Sequence, residues 1–229
     1  MLSLLFFTGF AYSQTAKEYY SIGIIKMLEG DYPASIDGFT KAIKKDKNYV
    51  DAYFNRGICF EKLKKYQEAI NDYSVVVKLK PYMYQAFNNR GLLYFKTDKY
   101  EKAIADFSTS IRINPTYPFS FLYRANTYLK MNELGKAKAD AEVVLDKLPN
   151  YIKAHSIIAK IAFIQKDYQT ALEHYNFLCE KQSSKAENFL GRARVFNALN
   201  RNDEACVDYK KAIELESEDA KNEKPVSCK

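Results

Sequence analysis

Apolar residues return along this chain at helical spacing, in two runs separated by a short polar turn, and the whole arrangement then repeats. Tyr53, Gly57 and Phe60 fall on one helical face, and Ala69, Tyr73 and Val76 on the next. The turns between runs read Gly30-Asp31, Lys64-Lys65 and Asn132-Glu133. The period is 34 residues, without insertion or deletion, through six blocks at 16–49, 50–83, 84–117, 118–151, 152–185 and 186–219. One helix pair cannot bury its own apolar face, so the pattern predicts stacked helix-turn-helix units that complete each other's cores.

Position within the block decides residue size. The eighth place holds Gly23, Gly57, Gly91, Ala125, Ala159 and Ala193, and the twentieth holds Ser35, Ala69, Ala103, Ala137, Ala171 and Ala205. Small residues there let two helices approach. The twenty-fourth place is large in five of six blocks, with Phe39, Tyr73, Phe107, Tyr175 and Tyr209, and Ala141 the exception. Pro81, Pro115 and Pro149 stand where the second helix must stop. In block three the series Phe87, Gly91, Tyr94, Ala103, Phe107, Pro115 resembles the tetratricopeptide repeat, and the resemblance spans all six blocks. It implies an all-α fold, a right-handed α-α superhelix of six helix-turn-helix units.

The six copies can be compared with one another. The seventh place is Arg56, Arg90, Arg124 and Arg192 in four blocks, and in the same four the twenty-third is Asp72, Asp106, Asp140 and Asp208. In blocks one and five these places hold Ile22 with Gly38 and Ile158 with His174. The charges come and go together, so each Arg is expected to pair with an Asp across the helix pair, as scaffold rather than chemistry.

By the resemblance, an extended peptide or helix would lie on the concave face made by the first helices, at their second, fifth, ninth, twelfth and thirteenth places, with the sixth at the edge. The residues assigned there are Tyr20, Phe54, Ile58, Asn88, Asn89, Leu92, Tyr123 and Asn126. Later blocks put Ser156, Lys160, Leu190 and Arg194 at equivalent places. Lys62, Lys96 and Lys130 recur at the thirteenth. The carboxylate clamp of chaperone-binding relatives is not expected, because Tyr20 and Ile24, then Phe54 and Ile58, occupy its leading places and only Asn55 fits.

Composition changes this picture little. The net charge is +7, but basic and acidic residues alternate and no dense basic run appears, so a nucleic-acid partner is not expected. Cys59, Cys179 and Cys206 take apolar places and read as small core residues, Cys228 reads as a free tail thiol, and no disulfide is expected within the repeats. His155 and His174 both lie in block five and lack a third ligand, so neither a metal nor another cofactor is expected. No nucleophile–base arrangement or Gly-rich phosphate loop is present, which argues for a non-enzymatic protein.

Residues 1–13 form an apolar run ending Ala11-x-Ser13, the small-x-small form of a cleaved signal peptide, although no Lys or Arg precedes it. With the leader cleaved, the protein would be periplasmic or extracellular; otherwise it would be cytoplasmic. Residues 220–229 read as a polar tail that leaves Cys206, Tyr209, Ile213 and Leu215 of the last repeat without a cover. The sequence therefore supports an interaction scaffold for another protein or peptide. The alternative is a structural assembly module that self-associates through an uncapped C-terminal end.

Overall fold

The computed structural model describes residues 14–223 and Cys228, so the leader expected at 1–13 lies outside the described residues. Thirteen α-helices and no strands occur among the described residues, and none of these helices is long and apolar enough to cross a membrane. The helices fall into two compact units divided at Thr97 and Asp98. The first contains α1 (Ala16–Leu28), α2 (Tyr32–Lys45), α3 (Val50–Lys62), α4 (Tyr66–Leu79) and α5 (Tyr84–Lys96). The second contains α6 (Tyr100–Ile113), α7 (Pro118–Lys130), α8 (Leu134–Lys147), α9 (Ile152–Ile164), α10 (Tyr168–Lys181), α11 (Ala186–Ala198), α12 (Asn202–Glu214) and α13 (Glu218–Glu223). Within each unit every helix packs on the next in sequence. The fold is the all-helical repeat class that the period predicts.

The turn inside each block is set by backbone geometry. Gly30, Lys64, Asp98, Asn132, Lys166 and Asn200 recur every 34 residues and all have positive φ, from 56° to 80°. A left-handed residue just past a helix lets two following amides return to the last carbonyls. Lys64 N donates to the Glu61 carbonyl at 2.9 Å and Lys65 N to that of Phe60 at 2.9 Å. Asn132 and Glu133, Lys166 and Asp167, and Asn200 and Arg201 repeat this pair of bonds.

The small and large places fill as expected. Every eighth-place and twentieth-place residue is buried, and so is every residue of the twenty-fourth, Ala141 included. Block one brings its helices into close contact: a methyl group on Gly38 would lie 2.8 Å from Gly23 Cα. The Asp that other blocks carry at the Gly38 place has no room there.

Three of the four expected ion pairs lie inside one unit and form. Arg56 grips Asp72 with two bonds of 2.7 and 2.8 Å. Arg124 holds Asp140 at 2.7 and 2.8 Å, and Arg192 holds Asp208 at 2.7 and 2.8 Å. The pair of Arg90 with Asp106 straddles the two units and stays an expectation. Each guanidinium also reaches back sixteen residues to the preceding block's second helix: Arg56 to Thr40, Arg90 to Ser74, Arg124 to Ser108 and Arg192 to Asn176, at 2.9–3.1 Å. Aromatic residues at the fourth and eleventh places flank it, as Phe121 and Tyr128 do Arg124 at 5.9 and 5.8 Å. The arginine thus joins two helices of its own block and one of the block before.

The C-terminal end departs from the expectation. It is capped. Glu218–Glu223 is a helix, α13, packed on α12, so the polar tail begins with an ordered element. Ala220 is fully buried and sits where a seventh block would begin; Ala16 and Ala186 hold the same place in their own blocks. Tyr209 is buried, and Ile213 and Leu215 are partly buried in the same cluster. Cys206 is disulfide-bonded to Cys228, with Cα atoms 5.2 Å apart, which corrects the reading of Cys206 as a core thiol and Cys228 as a free one. The physical reason is that Cys206, on the second helix of the last repeat, lies within bonding reach of Cys228 rather than in the closed core. Cys59 and Cys179 are free and buried, in keeping with their apolar places. Exposed apolar side chains include Ile25 at 54% and Leu28 at 80% on α1 and Val207 at 66% on α12.

Asp140 is 9% exposed and its partner Arg124 20%, so the pair lies near the buried limit. Asp140→Ala should lower unfolding free energy by about 3 kcal/mol by stranding the guanidinium, measured by urea denaturation. Arg124→Lys should also destabilise, since an ammonium cannot span the carboxylate and Ser108 together.

Candidate functional site

A first helix spends most of its surface on packing. Its tenth place is fully buried in blocks two to six, at Cys59, Leu93, Thr127, Ile161 and Val195. Its fourth, seventh, eighth and eleventh places serve the ion pair and the core. What remains open is the face carrying the second, fifth, sixth, ninth, twelfth and thirteenth places.

In the second unit this face is hollow. One cavity of about 270 Å³ lies between α7 and α9, lined by Leu122, Tyr123, Asn126 and Leu129 from one helix and Lys153, Ser156, Ile157 and Lys160 from the other. Leu122 and Ile157, 3% and 6% exposed, form its apolar floor. A second cavity of about 540 Å³ shares Asn126, Leu129 and Lys160 with the first and continues past Phe163 to Leu190, Gly191 and Arg194 of α11. The shared residues make the two one groove along α7, α9 and α11.

The groove wall depends on a size match between blocks. The twenty-fourth-place ring of one block faces the sixth place of the next. Tyr175 meets Gly191, where an added methyl would lie 2.3 Å from the ring, so glycine alone leaves the ring its place. Burial pushes the Tyr175 hydroxyl up to about 12, which keeps it a neutral hydrogen-bonding group in the wall of the larger cavity. Phe107 meets Tyr123, ring centroids 5.8 Å apart. Where the twenty-fourth place shrinks to Ala141, the sixth grows to Ile157, and both belong to one core cluster.

The charges in the groove are unequal. The charged residues lining the smaller cavity are Lys153 and Lys160, with no carboxylate among them. The larger adds Lys130 and Arg194 against Glu187 and Asp219. Arg194 is engaged by Glu223 of α13, with Nε to Oε2 at 2.7 Å and Nη2 to Oε1 at 2.5 Å. The guanidinium holds the Glu223 carboxyl below its ordinary range.

Of the residues assigned to the site from sequence, Tyr123 and Asn126 line this groove. The first-unit residues are drawn into packing. Tyr20 packs against Phe39 and Tyr49, at 5.6 and 5.0 Å, and its hydroxyl accepts from Asn55 Nδ2 at 2.9 Å. Asn89 donates to the Tyr73 hydroxyl at 3.4 Å, and Phe54 lies against the Tyr73 ring at 5.6 Å. Asn88 is buried; Ile58 and Leu92 are half-buried. Lys153, Ile157, Tyr175, Gly191 and Glu187 line the groove unassigned by sequence reasoning. Following the second and sixth places past Tyr123 would have found Lys153, Ile157, Glu187 and Gly191.

Block five, which supplies α9, has Ile158 and His174 at the ion-pair places, and His174 meets His155 of the fourth place instead. His155 Nδ1 lies 2.8 Å from His174 Nδ1, and His155 Nε2 2.8 Å from the Pro149 carbonyl. That carbonyl can only accept, so His155 carries its proton on Nε2 and accepts from His174 at Nδ1. The His155 ring also stacks on Phe177 at 3.9 Å. Burial holds the His174 imidazole below its ordinary 6.5, and the facing His155 and Lys138 charges add to this while Glu173 opposes it.

Sequence models of the tetratricopeptide repeat match residues 50–82 and 84–117, 149–183, and 186–219. No curated protein matches the chain. Among solved structures, MamA is similar at 24% identity, covering 75% of this chain and 94% of that one, with a TM-score of 0.69. A tetratricopeptide repeat protein from Parabacteroides merdae ATCC 43184 is 20% identical over 88% of this chain and 80% of its own, with a TM-score of 0.77. YrrB, described as a tetratricopeptide repeat protein with an unusual peptide-binding site, is 18% identical over 77% and 91%, with a TM-score of 0.67. At these identities the likeness speaks to the fold.

Because His174 is held low, the unfolded chain binds the extra proton, and stability is lost as pH falls below 6.5. The urea midpoint should drop between pH 7 and pH 5, about the range where an ordinary histidine titrates, and His174→Phe should flatten that part of the profile.

Proposed function

Since the chain belongs to the tetratricopeptide repeat family, we propose that it is a non-enzymatic interaction scaffold whose second unit holds an extended peptide or helix of another protein. The observation that carries this reading is the continuous groove across α7, α9 and α11. Its floor is apolar and its edges carry amide, hydroxyl and ammonium groups. Apolar floors supply affinity and a few placed polar groups fix orientation. An Asn126 amide and a Ser156 hydroxyl suit a peptide backbone, which needs both donors and acceptors. Within the first unit, Phe54, Ile58 and Leu92 are half-buried at the equivalent places of their own helices, with Tyr20, Asn88 and Asn89 packed beside them. α13 covers part of the surface that the self-assembly alternative would use, while Val207 of α12 stays exposed.

We place the protein in an oxidising, extracytoplasmic compartment. The Cys206–Cys228 disulfide supports this, because structural disulfides persist where thiols are not kept reduced.

Peptides selected on the protein from a random display library should lose about 2 kcal/mol or more of binding energy on a Tyr123→Ala, Asn126→Ala double variant whose melting temperature is unchanged. Equal binding to that variant would move the site elsewhere. N-terminal sequencing of protein from the native host should begin at Gln14; a start at Met1 would refute the exported reading.

A further inference from the structure

Besides Glu187 and Asp219 in its lining, the larger cavity has a third carboxylate of the chain itself beside it, on the wall residue Arg194. Glu223 sits with both oxygens on Arg194, a ninth-place residue in the wall of the larger cavity. The pair is partly open to solvent, with Arg194 at 40% and Glu223 at 38%. Glu223 is the last residue of α13, and Cys228 beyond it is fastened to α12 by the disulfide. At the other end of the same groove, Lys153 and Lys160 stand over Leu122 and Ile157 with no acid in the lining.

From these observations we infer that the second-unit groove selects a peptide bearing carboxylates beside apolar side chains, and that Glu223 is a tethered stand-in for one of those carboxylates. The inference rests on the groove reading above and names the chemistry of its partner. Apolar side chains of the ligand enter the floor at Leu122, Leu129 and Ile157. Its acids meet Lys153 and Lys160 at one end and, where they displace Glu223, Arg194 at the other. Guanidinium pairs a carboxylate through two parallel bonds, so a ligand must present equivalent oxygens to compete with the internal glutamate. Tethering raises the local concentration of Glu223, so the chain sets a threshold that a neutral or basic peptide does not pass. This arrangement differs from the chaperone-type clamp excluded above, which would use the leading places of earlier blocks.

The test uses two fluorescein-labelled peptides, one with three alternating Leu-Glu dipeptides and one with Leu-Gln in their place, titrated against the full-length oxidised protein by anisotropy. The acidic peptide should bind about five-fold more tightly at low salt, and the difference should close as salt rises. Glu223→Gln should tighten the acidic peptide about three-fold and leave the glutamine peptide unchanged. Arg194→Gln should remove that gain when combined with Glu223→Gln, and a Lys153→Gln, Lys160→Gln double variant should abolish the acidic preference, each with an unaltered melting curve. Equal binding of the two peptides overturns the inference, and so does an acidic peptide indifferent to Glu223→Gln. If display selection yields groove binders free of Asp and Glu, the inference fails while the groove reading stands; if selection yields none, both fail.

Discussion

In blocks two, four and six a single guanidinium ties the two helices of the block to each other and to the helix before them. It lies between two aromatic rings of its own helix, takes an aspartate sixteen residues ahead with two bonds, and a hydroxyl or amide sixteen residues behind with a third. Five fixed N–H donors in one plane make this possible, and no other side chain has them. The small eighth and twentieth places let the helices come close enough for these bonds to form. Once they form, the spacing within a block and the offset to the preceding block are set together. Removing one partner leaves a charge in a place that solvent barely reaches.

That constraint explains where the open surface lies. A first helix that gives its fourth, seventh and eleventh places to the arginine assembly, and its eighth and tenth to the core, has one stripe left. In the second unit the stripe is hollow because the ring-to-place match between blocks uses glycine at Gly191 and isoleucine against Ala141. In the first unit the same stripe is taken up by tyrosine hydroxyls and their asparagine partners. Block five has lost the arginine, and its Ile158 is instead buried in the core. The helix beside both cavities is thus held by apolar packing and a histidine pair rather than by the ion pair of its neighbours.

The period, the core places and the Arg–Asp pairing were legible because each repeats and can be checked against five other copies. Three things were not. Asn55 and Asn89 look like peptide-binding amides until the hydroxyls of Tyr20 and Tyr73 are found beside them, and that pairing crosses blocks. The Cys206–Cys228 bond joins a repeat to a segment outside the period, where comparison of copies has nothing to compare. The cap was half visible: Ala220 falls at the first place of a seventh block, but Pro225 and the polar residues around it concealed a helix of six residues.

The left-handed residue at the end of each first helix has a consequence for how such a chain changes length. Lys64 and Lys166 adopt that conformation although nothing in their side chains favours it, so the turn belongs to the architecture rather than to the residue. One residue added there would swing the second helix by about 100° around its axis and carry its aspartate off the arginine. A deletion would do the same in the opposite sense. Only the insertion or loss of a whole block leaves every contact in phase, and an array of this kind grows by duplication in quanta of one repeat.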